Sequence, residues 1–191
     1  MIAGIVLAAG RSRRMGEPKA LLRFGGATFL ERAVRALADG GCHEVWVVTG
    51  ADRAVAEAAA ALGVRTVANP AADAEQIDSL RVALRALPAE AEAAAVALVD
   101  VPQVDADAVR AVLDGFRRTG APVVLPAHDG RHGHPVLFAR AAWAELLAPG
   151  LAEGARTVVH AHAADRVEVA VPALPSDVDT PDDYRRLLAG A

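Results

Sequence analysis

The chain opens Met1-Ile2-Ala3-Gly4-Ile5-Val6-Leu7 and runs straight into Ala8-Ala9-Gly10-Arg11-Ser12-Arg13-Arg14-Met15-Gly16-Glu17-Pro18-Lys19. A continuous apolar run of this kind reads as a strand buried on both faces, as in a sheet covered by helices. The loop after it carries four basic side chains, two glycines and no bulky apolar residue before Met15. That chemistry suits a polyphosphate, because glycines at 10 and 16 let backbone N–H groups approach an anion and accept positive φ. A helix directly after the loop would add its N-terminal dipole. Two familiar phosphate signatures are absent. A Walker A loop needs Gly-Lys-Ser/Thr where Gly16 is followed by Glu17, and the dinucleotide pattern Gly-x-Gly-x-x-Gly does not occur here. The plain alternative is a basic surface turn.

Composition narrows the class. A length of 191 residues suits one α/β domain with a sizeable core, spanning 1–191. The formal net charge of −4 argues against wholesale nucleic-acid binding, which needs a broad basic surface. The excess of basic residues is confined to the first part of the chain, as a site for one small anion requires. With Cys42 alone there is neither an intrachain disulfide nor a thiolate metal cluster, and Cys42 is expected to be a small, buried or half-buried side chain. The opening apolar run is too short, and too soon broken by Gly10 and arginines, for a signal peptide or membrane span. The expected location is therefore cytoplasmic.

Strand-like and helix-like patterns alternate. Apolar, β-branched runs occur at Ile2 to Leu7, Val45 to Val48, Val64 to Val67, Ala94 to Val99, Val123 to Leu125, Val136 to Phe138 and Val167 to Val171. Between them lie helical patterns at Thr28 to Ala38, Ala51 to Leu62, Asp78 to Leu87, Asp105 to Arg117, Ala139 to Leu147, Gly154 to His162 and Thr180 to Leu188. The implied architecture is a doubly wound, mostly parallel α/β sheet flanked by helices, whose ligands gather at the carboxyl ends of the strands.

Asp100 stands at such an end, immediately after Ala94 to Val99. A carboxylate there is costly unless it is paired or holds a cation, and Mg²⁺ is typically held by one or two carboxylates plus substrate phosphates. Alternatively, Asp100 accepts backbone N–H groups near the start of the helix at Asp105. Farther on, Thr180 or Asp179 caps a helix with Pro181 at its first position and Asp182 and Asp183 complementing its dipole, which leaves Asp177 and Asp179 unexplained. Asp78 or Ser79 reads equally as a helix cap. His132, His134, His160 and His162 form two His-x-His pairs, a poor zinc signature without cysteines or a Glu-x-x-His pattern.

Leu7, Ala8, Ala9, Gly10, Ser12, Arg14, Met15, Gly16 and Lys19 together resemble the N-terminal signature of the MobA-like nucleotidyltransferases of molybdenum-cofactor biosynthesis. The resemblance extends nearly to the chain's end. It includes Asp100-Val101-Pro102 against Asp-x-Pro, with Val99 replacing a glycine, and Asp177-Val178-Asp179-Thr180-Pro181 against Asp-Ile-Asp-Thr-Pro. It also includes Gly133-His134-Pro135-Val136-Leu137-Phe138 and Gly154-Ala155-Arg156. From the family's nucleotide-lining segment only Asn69, Pro70, Ser79 and Leu80 carry over, because Gln76-Ile77-Asp78 stands where that family has Gly-Met-Ser.

The resemblance implies a Rossmann-like nucleotidyltransferase of EC 2.7.7 type that moves a nucleoside monophosphate to a phosphorylated acceptor and releases pyrophosphate. It implies that Leu7, Ala8, Ala9, Gly10, Ser12, Gly16, Asn69, Ser79 and His134 contact substrates, and that Arg14 and Lys19 hold the leaving phosphates. Asp100 and Asp179 would bind Mg²⁺, with Asp177 a more distant acceptor and His134 and Arg156 facing the acceptor. Ala8-Ala9-Gly10 and Gly133-His134-Pro135-Val136 lean toward the cytidylyl branch, hence CTP and a molybdopterin-type acceptor. The alternatives are a guanylyltransferase, an enzyme for a sugar or polyol phosphate, and a nucleotide-binding module without transfer. An enzyme that receives the finished cofactor would be its protein partner.

Overall fold

The computed structural model describes residues 1–12, 14–71 and 75–190. β1 (Ile2–Ala8) is buried along its whole length and is paired in parallel on both sides, with β4 (Glu44–Thr49) and β6 (Ala93–Leu98). Beyond β4 lies β5 (Arg65–Ala68), an edge strand with an exposed face. On the other side follow β9 (Val136–Ala139), β7 (Val123–His128) and β10 (Val167–Ala170), giving the order β10-β7-β9-β6-β1-β4-β5. The sheet is mostly parallel; β9 runs antiparallel to both β6 and β7. A short β8 (Arg131–His132) pairs with β7, and β2 (Arg23–Phe24) with β3 (Ala27–Thr28) makes a separate hairpin.

Because successive strand residues point to opposite faces, β1 feeds two cores at once: Ile5 goes to one, Val6 to the other. On Val6's side pack α1 (Phe29–Asp39) through Phe29, Leu30 and Leu37, and α4 (Ala106–Thr119) through Val109, Val112 and Leu113. On the side of Ile5 pack α3 (Gln76–Ala86), α5 (Trp143–Leu147) and α6 (Ala155–Ala161). Each such fully buried aliphatic or aromatic side chain contributes about 1.5–3 kcal/mol. The remaining helices, α2 (Arg53–Ala61) and α7 (Pro181–Ala189), lie over the first face, with Val55 and Ala59 of α2 and Leu187 of α7 in its core.

One expectation fails at the start of the chain. No α-helix follows the N-terminal loop directly; a single 3-10 turn at Lys19–Leu21 and the β2–β3 hairpin intervene before α1. Pro18 enters that turn without a side-chain cap, so the loop is not seated on a helix N-terminus. The helix α3 also starts earlier than its pattern indicates, at Gln76. Its first turn is closed from inside, because the Glu75 backbone N–H donates to Asp78 Oδ2 at 3.1 Å.

Cys42 is half-buried beside Gly4, and burial pushes its thiol up to about 12. A thiol so rarely ionised is a poor nucleophile. Iodoacetamide at pH 8 is therefore expected to leave the folded protein unlabelled and to label it stoichiometrically in denaturant. Rapid labelling of the native form would contradict this environment.

Candidate functional site

The carboxyl end of β1 is fixed between two neighbours, with Leu7 in register with Leu98 of β6 and Ala8 with Thr49 of β4. The chain leaves the sheet at Ala9 and folds back on itself: the Met15 N–H donates to the Ser12 carbonyl at 2.9 Å, and the Lys19 N–H donates to Ser12 Oγ at 2.9 Å. Of the two glycines, Gly16 takes positive φ (76°) while Ser12 (50°) makes the other left-handed turn. Arg13 lies outside the described residues. Gly50, just after β4, backs directly on this exit. A Cβ there would sit 2.7 Å from the Ala9 carbonyl oxygen.

Across from the loop stand the two aspartates. The Asp100 backbone carbonyl accepts the Val178 N–H at 2.8 Å, which clamps the 177–179 segment to the end of β6. Lys19 Nζ then lies between the side chains, 3.2 Å from Asp100 Oδ2 and 2.5 Å from Asp179 Oδ1. Arg14 reaches the outer side of Asp179 at 3.9 Å. The capping alternative for Asp100 goes to another residue: Asp105 Oδ1 accepts the Ala108 N–H at 2.8 Å as the cap of α4.

The first turn of α7 holds Asp179 in place. Thr180 caps that helix and Pro181 occupies its first position, while Asp183 Oδ2 accepts from the Asp179 and Thr180 N–H groups at 3.1 and 2.8 Å. A hydrogen bond donated by the Thr180 hydroxyl at 2.7 Å, then Arg186 and these backbone bonds, hold the Asp183 carboxyl well below the usual carboxylate range. Helix α7 is fastened in turn by Tyr184, whose hydroxyl donates to the Arg23 carbonyl at 2.8 Å and whose ring meets Phe29 edge-on at 5.9 Å.

Leu7, Ala8, Ala9, Gly10, Ser12, Arg14, Lys19, Ser79, Asp100 and Asp179 all line one cleft of about 370 Å³. Three residues expected with them are elsewhere. Gly16 shapes the loop without lining the cleft. Asn69 is buried behind Ser79, donating from Nδ2 to Ser79 Oγ at 3.0 Å and accepting the Ala71 N–H at 3.2 Å, so it braces the wall. His134 faces an adjoining lobe of about 680 Å³, which shares Asp100 and Asp179 with the first and is floored by Leu80, Val96, Val136 and Phe138.

In that second lobe His134 Nδ1 donates to the Val96 carbonyl at 3.2 Å, which leaves Nε2 as the acceptor. Burial keeps the His134 imidazole below its usual pKa, hence neutral. Asp177 is raised by burial and then by the negative charge of Asp100. Arg156 lines the same lobe. The four paired histidines do not converge: His132 meets Glu168, His160 meets Glu153, and His162 meets Glu145 and Asp165. Among the described residues no group of three His, Cys, Asp or Glu side chains is placed to hold a metal ion, which sets the zinc reading aside.

Sequence reasoning missed Val55, Glu75 and Gln76 as cleft-lining residues. Their visible signal was position, at the first turns of helices that follow strands in a doubly wound sheet.

A mostly parallel α/β sheet with acids and a lysine gathered at its carboxyl edge has the architecture of Rossmann-like nucleotidyltransferases. The chain belongs to the MobA-like NTP transferase family, whose domain model matches residues 4–167. It is 31% identical to a probable molybdenum cofactor guanylyltransferase of Mycobacterium avium (strain 104), over 97% of this chain and 94% of that one. It is 39% identical to the 2-C-methyl-D-erythritol 4-phosphate cytidylyltransferase of Streptomyces coelicolor, a match covering 65% of this chain and 49% of the relative. Among solved structures, Rv0371c from Mycobacterium tuberculosis H37Rv in complex with manganese superposes with a TM-score of 0.84 at 33% identity, covering 100% of this chain and 99% of that one. Several other curated matches cover only part of the relative. The chain spans 26% of the nicotine blue oxidoreductase of Paenarthrobacter nicotinovorans and 50% of a probable molybdenum cofactor guanylyltransferase of Opitutus terrae.

Proposed function

We propose that the protein transfers CMP from CTP to a phosphate-bearing acceptor of the molybdopterin type, releasing pyrophosphate, with Mg²⁺ as its metal. The observation that carries this reading is the meeting of Lys19, Asp100 and Asp179 at the junction of two lobes. One lobe is sized and charged for a triphosphate; the other is larger, apolar-floored and edged by Arg156 and neutral His134. Donor and acceptor would therefore meet at the carboxylates.

The donor set fits a hard divalent cation, since two carboxylates completed by phosphate oxygens and water are what Mg²⁺ usually takes. Asp100 and Asp179 would hold it, and bound there it would supply Lewis-acid polarisation and a template for the reacting phosphates. Lys19 and Arg14 neutralise charge on the departing pyrophosphate, a task for cations suited to phosphate oxygens. Gly10 leaves its backbone open, with nothing within 4 Å of where a Cβ would stand, so the chain can approach the anion closely. The nucleophile is an already ionised phosphate, so positioning replaces base catalysis. Among the described residues no helix is long and apolar enough to cross a membrane.

Ala9 lines the cleft, and its methyl group leaves less room for a purine than glycine would. A single apolar contact of this kind is worth about 1–3 kcal/mol in discrimination. CTP is thus expected to bind more tightly than GTP in direct competition followed by calorimetry. Tighter GTP binding would move the reading to guanylyl transfer, the activity in the name of the full-length Mycobacterium avium relative. Pyrophosphate release with CTP and a polyol phosphate, but none with a molybdopterin-type acceptor, would favour the chemistry named for the Streptomyces coelicolor relative.

A further inference from the structure

The position of Lys19 bears on the order in which the site fills, given the transfer reading above. The Lys19 side chain is only 13% exposed, and its ammonium contacts both carboxylates, so it occupies the space between Asp100 and Asp179. A divalent ion ligated by both oxygens would need that same space, at about 2.0–2.1 Å from each for Mg²⁺. The two cations would compete for the same carboxylate oxygens, and their like charges oppose joint occupancy.

The lysine backbone is not free to withdraw. Its N–H is held by Ser12 Oγ at 2.9 Å, and its carbonyl accepts the Leu22 N–H at 3.1 Å within the 3-10 turn. Only the side chain can swing, and the cleft it would swing into is the one lined by Gly10, Arg11, Ser12 and Arg14. A triphosphate seated there offers the ammonium new anionic partners and frees the carboxylates in the same motion.

We propose that Lys19 is a tethered cation that keeps the Asp100–Asp179 pair closed until a nucleoside triphosphate draws it away, so that the metal site opens only as the nucleotide binds. The metal then enters with the triphosphate, and the protein resists loading by free metal ahead of its substrate.

The test uses Mn²⁺ alone, titrated into the full chain without nucleotide and followed by loss of the free-ion electron paramagnetic resonance signal. Lys19→Gln is expected to bind Mn²⁺ at least tenfold more tightly than the wild type, whereas Lys19→Arg, which keeps a cation at the position, gains little. Adding Asp100→Asn to Lys19→Gln should erase the gain, tying it to this pair of carboxylates. Thermal unfolding checks that each variant is folded, and Lys19→Met, with a stem of similar length, provides a second neutral variant. Equal Mn²⁺ affinity in the wild type and both neutral variants overturns the proposal. Failure of any nucleoside triphosphate to bind the wild type sinks the transfer reading instead, and the Mn²⁺ comparison still decides whether the lysine blocks the pair.

Discussion

Asp100→Asn and Asp179→Asn are each expected to lower nucleotidyl-transfer turnover by about a hundredfold or more while leaving the fold intact. Each change keeps the side chain's shape and removes a negative charge from the junction of the two lobes. Loss of one preorganised electrostatic partner in a reacting site typically costs about 10²–10³ in kcat. Folding should tolerate either change, because both side chains are part-exposed and the backbone bond from Val178 to Asp100 does not involve the carboxylate. The measurement is pyrophosphate release at saturating nucleotide across a range of Mg²⁺, with circular dichroism as the control for folding. Near-normal turnover at low Mg²⁺ in either variant would remove that residue from the metal site.

The largest effect on stability is expected at Phe29, the first residue of α1. It is fully buried, it fills the core beneath β1, and its ring packs edge-on against Tyr184 of α7. Phe29→Ala should cost about 3–5 kcal/mol, the transfer free energy of the ring plus the cavity left behind. Urea unfolding would read it as a lower midpoint with an unchanged slope. A loss well under about 2 kcal/mol would mean that the neighbouring side chains collapse into the space. The site should feel the change as well, since Tyr184 helps to fasten the helix whose cap adjoins Asp179.

Strand positions were legible because β1 and β6 are apolar without alternation, as only a doubly covered sheet permits. Direction was not. Val136 to Phe138 reads the same whether it runs with its neighbours or against them, and β9 runs against them. The β2–β3 hairpin escaped because its strands have only two residues each. Yet Gly25-Gly26, at φ 58° and 84°, is the two-residue turn a hairpin wants, and the pair was in view. A helix after the phosphate-like loop was expected from the habit of doubly wound folds; Pro18 and the three-residue turn after it show the chain taking another route.

At the site, Asp100 was legible as a carboxylate at a strand end, whereas Lys19 and Asp179 were marked by their match to the family's motifs. The resemblance brings Asp100 and Asp179 together, but the seating of Lys19 between them was not legible, since it depends on the fold-back of the 12–19 loop and on the Val178 to Asp100 bond between segments remote in the chain. The role of Asn69 was hidden for a similar reason. A polar side chain after a strand looks like a ligand contact, and only the buried bond to Ser79 shows that its amide is spent on the wall.

The contact of Gly50 with Ala9 makes the cleft wall at residue 9 a shared boundary between two loops that are far apart in sequence. A side chain at 50 would press on the Ala9 carbonyl, so the loop after β4 cannot drift in composition without moving residue 9. On the proposed reading, in which residue 9 faces the base, a change at residue 9 and a change at position 50 are therefore coupled. A lineage that exchanged one nucleotide for another would have to keep position 50 bare or rebuild both loops together, so a substitution library at position 9 is best screened with Gly50 left in place.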